Sequence, residues 1–309
     1  MTESQPTIGT AILSPEDQAI LQKARQLNAK PEVIAFDTIK LKNSEKKLLD
    51  FAGQPIARGH YLIESYDPEK KAKTYRSLGE HPEIVILHRC YTYSYYEDGV
   101  GLVAWTSDIQ GFTDQDRVVL FSKKTGKSAV EFDGYYPEFK QYAAAHYVSK
   151  GLKERKLLQF QNLLYVLFEG KVYRMFVSNA SAAGIPKGEK GPSFRDPQPG
   201  SLLSFIETTR GSEMEGALCE HVCRLGAHFK DDAEQPYHIG IFENVGPNEK
   251  LPEAVGQLKK LMMDMVKQQK DAVERLSIQS LSEEAKGDPE WDDVPAPKSP
   301  IDVDELPLL

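Results

Sequence analysis

The stretch Leu157–Asn179, LLQFQNLLYVLFEGKVYRMFVSN, constrains this chain more than any other. It is the longest apolar run, and it alternates with period two on both sides of Glu169-Gly170. Glycine accepts the positive φ of a tight turn, so the pattern predicts a hairpin. A two-residue loop sets Phe168 opposite Lys171, Val166 opposite Tyr173 and Leu164 opposite Met175 on one face. On the other face it sets Tyr165 opposite Arg174 and Leu163 opposite Phe176. Both faces are mostly apolar. The hairpin is therefore buried on both sides, or it offers one side for stacking, with Tyr165 and Arg174 as the residues that would serve it.

The segments before this hairpin set the expected fold. Ile84–Tyr96 and Val100–Thr106 flank Asp98-Gly99, a strong hairpin signal. Arg117–Phe121 and Ser128–Phe132 flank a lysine-rich turn, and a helix is expected from Pro137 to about Ser149. Strand, strand, strand hairpin, helix, strand, strand is the order of an oligonucleotide/oligosaccharide-binding barrel, a five-stranded Greek key with its helix between strands three and four. The expectation is a β-rich α+β fold: an OB-like five-stranded barrel with an added hairpin, His221–Lys230 with Tyr237–Val245.

Around the barrel, residues 1–56 hold a helix opened by Ser14-Pro15 and short strands; the core spans 57–247; a helix follows over 248–280. Tyr66–His81 is polar and basic, and reads as a loop or short helix. Gly184–Gly200 is too rich in glycine and proline for regular structure.

Chemistry concentrates in three places. In the strand from Ile84, Arg89, Tyr91, Tyr93 and Tyr95 alternate onto one face, with Ile84, Ile86, His88 and Cys90 on the other, expected to be the core face. Single strands of nucleic acid are held by rings that stack on bases and cations that follow phosphates. Arg117, Lys123, Lys124, Lys127, Lys187, Lys190 and Arg195 are the candidate cations. The bland alternative is that tyrosines are simply common in sheets. Glu131, Asp133 and Glu138 are acidic neighbours that a metal-dependent nuclease would use, or solvated turn carboxylates. Cys219, His221 and Cys223 would share one strand face, but no Cys-x-x-Cys pair accompanies them, so no metal or other cofactor is expected. Phosphate-loop, His-Glu-x-x-His and Gly-x-Ser-x-Gly motifs are absent, and no enzymatic activity is expected.

Charge is distributed unevenly. Leu281–Leu309 carries nine acidic residues and two lysines, a net of −7, which leaves −1 for the other 280 residues of a chain of net charge −8. The composition of this tail predicts disorder. It ends in Asp302, Asp304 and Glu305 followed by the apolar tip Leu306-Pro307-Leu308-Leu309. The barrel-like order and this ending resemble bacterial and phage single-stranded-DNA-binding proteins, whose acidic tails recruit replication and repair proteins through an apolar tip. Two leucines follow Pro307 here, where that family ends in a single phenylalanine.

The resemblance implies a non-enzymatic single-stranded-DNA-binding protein of phage or mobile-element replication, recombination or repair. Its partners would be DNA and, through the tip, replication or repair proteins. A nuclease and a self-assembling scaffold are the alternatives. Three cysteines, no basic-apolar leader and no apolar run near the ~20 residues of a membrane span predict a cytoplasmic protein without membrane contact.

Overall fold

The computed structural model describes residues 36–97, 101–124, 127–147, 158–186, 191–210, 217–231 and 236–266. The expected Ser14 helix, the Asp98-Gly99 turn, Lys187, Lys190 and the whole acidic tail lie outside these residues, as do the side chains of Lys124 and Lys127. Phe36–Leu261 belongs to one compact unit, which contains every strand among the described residues. Of the second unit, Met1–Ala35 with Met262–Glu305, only residues 262–266 are described.

The strands are β1 (Thr38–Leu41), β2 (Tyr61–Asp67), β3 (Ala72–Gly79), β4 (Glu83–Glu97), β5 (Gly101–Thr106), β6 (Arg117–Lys124), β7 (Lys127–Tyr135), β8 (Gln159–Phe168), β9 (Lys171–Val177), β10 (His221–Lys230) and β11 (Tyr237–Pro247). The helices are α1 (Tyr136–His146), α2 (Asn179–Ala183), α3 (Leu202–Arg210) and α4, residues 251–266.

All eleven strands join one sheet in the order β3-β2-β1-β9-β8-β4-β5-β6-β7, with the β10-β11 hairpin branching from β4. The sheet is mixed, because β1 runs parallel to β9 while its other ladders are antiparallel. This overturns the five-stranded barrel and the resemblance built on it. The string β4–β7, α1, β8, β9 does occur in the expected order. However, β8 and β9 add to the outer side of β4 instead of closing on β7, so β3 and β7 end the path as edges. Local patterning specifies strands; which strands become neighbours depends on long-range pairing that a one-dimensional pattern does not carry.

The β8–β9 hairpin has the register read from its alternation, from Phe168 opposite Lys171 to Leu163 opposite Phe176. Glu169 and Gly170 both take positive φ, +48° and +75°, as its turn requires. Tyr66–His81 differs from expectation: β2 and β3 pair across it. Lys73 and Arg76 sit on β3, an edge strand, where charge discourages further pairing.

One face of the sheet carries the main aliphatic core: Ile39, Ile63, Ile84, Ile86, Leu164, Val166, Met175 and Leu225, covered by Ala182 of α2 and by Leu202, Phe205 and Ile206 of α3. The approach is close at Gly240 on β11. Its backbone N–H donates to Ser181 Oγ at 2.8 Å, and a Cβ there would lie 3.0 Å from the Tyr61 hydroxyl. A second, aromatic core gathers Tyr95, Ala104, Ile109, Val118, Leu120 and Phe139 beneath α1.

Candidate functional site

Strand β4 connects the two cores, and an irregularity in it decides what faces where. The register with β8 shifts between Ile86 and His88, leaving Leu87 as the extra residue of a bulge. Ile86 then pairs with Val166 and Arg89 with Leu164. Directly paired residues point to the same side, so Arg89, Tyr91 and Tyr93 share the face of Ile84 and Ile86. The expected separation of the stripe from the core face is thus wrong beyond the bulge. Cys90 faces the opposite side there, buried as Thr92 and Ser94 are, while His88 is half-buried.

The stripe forms the rim of the aromatic core. Tyr91 stacks on Phe160 with ring centroids 5.5 Å apart and lies 4.3 Å from Phe112. Tyr93 touches Phe160 and Phe139, and Phe112 touches Tyr136. Tyr91, Tyr93, Phe112, Tyr136 and Phe160 are all half-buried; the first four pack on the core, and Phe160 packs on Tyr91, Tyr93 and Phe112. Tyr95 is the exception, buried against Tyr147. Burial, then the contact with Tyr136, raises the pKa of Tyr93, so its hydroxyl stays neutral.

Phe112 reaches this cluster from a loop. Asp116 Oδ2 accepts from the backbone N–H groups of Gly111 and Thr113 and from the Thr113 hydroxyl, at 3.1, 2.7 and 3.2 Å. Inside that turn Phe112 has φ of +60°. A bulky residue held in the left-handed region costs ~1–3 kcal/mol, and such strain concentrates at functional sites.

Arg89 lies over Tyr91, its guanidinium 4.8 Å from the ring centroid. Nε and Nη2 both donate to Asn162 Oδ1, at 3.0 and 2.6 Å. Among the described residues Arg89 has no carboxylate partner, and burial lowers its pKa, a cost to the charged form that Tyr91 and Cys90 only partly offset. Asn162 is fully buried, and its Nδ2 has no hydrogen-bond partner among the described residues.

The remaining candidate cations divide. Arg117 forms a two-pronged ion pair with Asp133 at 2.7 and 2.8 Å. Arg174 pairs with Asp108 at 3.0 Å on the opposite face of the sheet, where Asp108 also accepts from the Tyr165 hydroxyl. Tyr165 is itself core, 3% exposed. Lys123 and Arg195 are exposed. The structure therefore unites Arg89, Tyr91 and Tyr93, buries Tyr95 and Tyr165, and neutralises Arg117 and Arg174.

The three acidic neighbours are each engaged. Glu131 accepts from the hydroxyls of Tyr142 and Tyr147, Asp133 holds Arg117, and Glu138 accepts from the Tyr135 backbone at the start of α1. Burial and Glu131 push the Tyr142 pKa up to about 12. Cys219 sits in a 3-10 turn ahead of β10, and Cys223 is buried in the main core, so the two do not share a strand. Among the described residues no group of three His, Cys, Asp or Glu side chains is placed to hold a metal ion.

Sequence reading missed Phe112, Tyr136, Phe160 and Asn162 as members of this site. Alternation with Leu164 puts Phe160 on the same strand face, and register sets it opposite Tyr93. Comparison with protein-family models, with curated protein sequences and with solved structures finds no match for the chain.

Proposed function

We propose that this protein binds single-stranded nucleic acid without acting on it chemically, in DNA replication, recombination or repair. The observation that carries the reading is the rim of five half-buried rings beside an arginine that no described carboxylate neutralises. Ring faces accept any base, each stacked base contributing ~1–3 kcal/mol, and a cation beside them meets the backbone phosphates. The pinned, strained Phe112 supports the same reading, since it presents a ring to Tyr91 at a conformational cost.

The acidic C-terminal residues belong to this proposal as a competing anion, with Leu306, Leu308 and Leu309 as a docking tip for a protein partner. The thiols of Cys90, Cys219 and Cys223 are free and buried, which supports a reducing compartment such as the cytoplasm. No helix among the described residues is long and apolar enough to cross a membrane. Fluorescence anisotropy with labelled oligo-dT and with duplex DNA, at two salt concentrations, tests the reading. Tighter, salt-sensitive binding of the single strand is expected; equal affinity for duplex, or no binding, contradicts it.

A further inference from the structure

The half-buried cation and the buried amide beside it form a more specific arrangement than a general basic surface. A guanidinium has five N–H donors. Two point at Asn162 Oδ1, through Nε and Nη2, which fixes the plane of the group. The Nη1–Nη2 edge keeps the other three. Asn162 has spent its acceptor, and its Nδ2 remains a buried donor without a partner among the described residues. The pair is thus all donor and carries one positive charge. It calls for a ligand that only accepts and that is negative. A guanidinium half-buried without a counter-ion is unfavourable, and an anion on its free edge offsets that cost.

We propose that Arg89 and Asn162 form the seat for one phosphate group, bound by the Nη1–Nη2 edge of Arg89 with Asn162 as the residue that positions it. The inference rests on the reading of the aromatic rim given above. Arg89 lies over Tyr91, which stacks on Phe160, so the seat adjoins the rings that would take a base. The ligand is then one nucleotide unit, its phosphate on the arginine and its base on the rim. Two-pronged contact with two phosphate oxygens is the geometry in which arginine outperforms lysine.

The discriminating variant is Asn162→Asp. It is nearly isosteric and places a carboxylate where the amide oxygen already accepts from Arg89, so the guanidinium is neutralised from within while its Nη1–Nη2 edge stays free. Arg89→Met is the second variant; it keeps the contact with Tyr91 and removes the charge. Two probes are used on the full chain: labelled oligo-dT titrated at several salt concentrations, and inorganic phosphate in a thermal-unfolding assay.

Each phosphate neutralised on a single strand contributes about −0.7 to the slope of log affinity against log salt. Both variants should flatten that slope by about 0.7 and bind oligo-dT at least about tenfold more weakly at low salt. Phosphate should raise the unfolding temperature of the wild-type chain and not that of Asn162→Asp. If oligo-dT binds with an unchanged slope in both variants, the seat is wrong and the nucleic-acid reading survives. If oligo-dT does not bind at all, yet phosphate stabilises the wild type and not Asn162→Asp, the seat stands and the nucleic-acid reading falls. If neither probe binds the wild type, both are wrong.

Discussion

Two arginines of the central sheet, Arg89 on β4 and Arg174 on β9, lie on opposite faces, each over a tyrosine ring, at 4.8 Å from Tyr91 and 5.8 Å from Tyr165. By composition they are the same device. They differ in what else reaches the guanidinium. Asp108 extends across its face to hold both Arg174 and the Tyr165 hydroxyl, and Tyr165 is buried. Burial, then Asp108, raises the Tyr165 pKa, while Arg174 opposes the shift; the hydroxyl stays a donor. The charge of Arg174 is neutralised there. Around Arg89 the partner is an uncharged amide, and the neighbouring rings keep exposed surface. A cation–ring pair therefore says little about function until its counter-ion is located. A satisfied pair is architecture, and an unsatisfied one is available to a ligand.

The sharpest way to break this comparison is at Asp108. Replacing it with alanine strands a guanidinium that is 31% exposed and removes the Tyr165 hydrogen-bond acceptor. Asp108→Ala should lower unfolding free energy by about 2–4 kcal/mol in a urea titration, with oligo-dT affinity per folded molecule unchanged. A large loss of affinity in folded protein would move the binding surface to the Arg174 side.

The rings come next. Tyr91→Ala should weaken oligo-dT binding by ~1–3 kcal/mol. Phe176→Ala, which removes a 40% exposed ring from under Arg174, should leave it within about twofold. Similar losses at both positions would erase the distinction between the faces.

A smaller effect is expected at Glu64, another site where cations are satisfied. Lys40 and Lys73 donate to it at 2.7 and 2.9 Å. Burial alone would raise its pKa, but these two hydrogen bonds and charges outweigh it, and the value falls below 4.5. A carboxyl so held stabilises the fold above its unfolded-chain value and loses that contribution as pH falls through its folded value. Glu64→Gln should therefore cost ~0.5–1 kcal/mol at pH 7 and progressively less as the pH falls through the folded-state titration of the carboxyl, by denaturation across a series of acid pH values.

The smallest effect concerns the tail. Deleting Leu281–Leu309 removes a net charge of −7, so oligo-dT affinity should rise about twofold at 20 mM salt. The gain should vanish near 0.2 M, because the Debye length falls from ~30 Å at 0.01 M to ~10 Å at 0.1 M. Stopped-flow association at both salts measures it, and a salt-independent gain would point to something other than charge.

Much of the local structure was legible. The β8–β9 register followed from alternation around Glu169-Gly170, and Pro137 marked the start of α1 to within one residue. The rest depended on interactions that pattern does not encode. The extra residue at Leu87 turns the stripe onto the core side, and no residue type there announces a bulge. Phe112 joins the rings only because Asp116 folds its loop, which is a tertiary result of one carboxylate. Arg89 and Arg174 look equivalent in sequence, since Asp108 is distant along the chain from Arg174 and nothing in its neighbourhood marks it as that partner. Sheet order was the largest miss: strands that are consecutive by pattern were arranged around β8 and β4 in both directions.

The central claim is that the Arg89 face, and not the Arg174 face, holds the strand. Photo-crosslinking with bromodeoxyuridine-substituted oligonucleotide, followed by mass spectrometry of the digested protein, tests it most directly. Adducts at Tyr91, Phe112 or Phe160 are the expected result; adducts confined to Phe176 and its neighbours on β9, from a protein that binds the same oligonucleotide in solution, would contradict it.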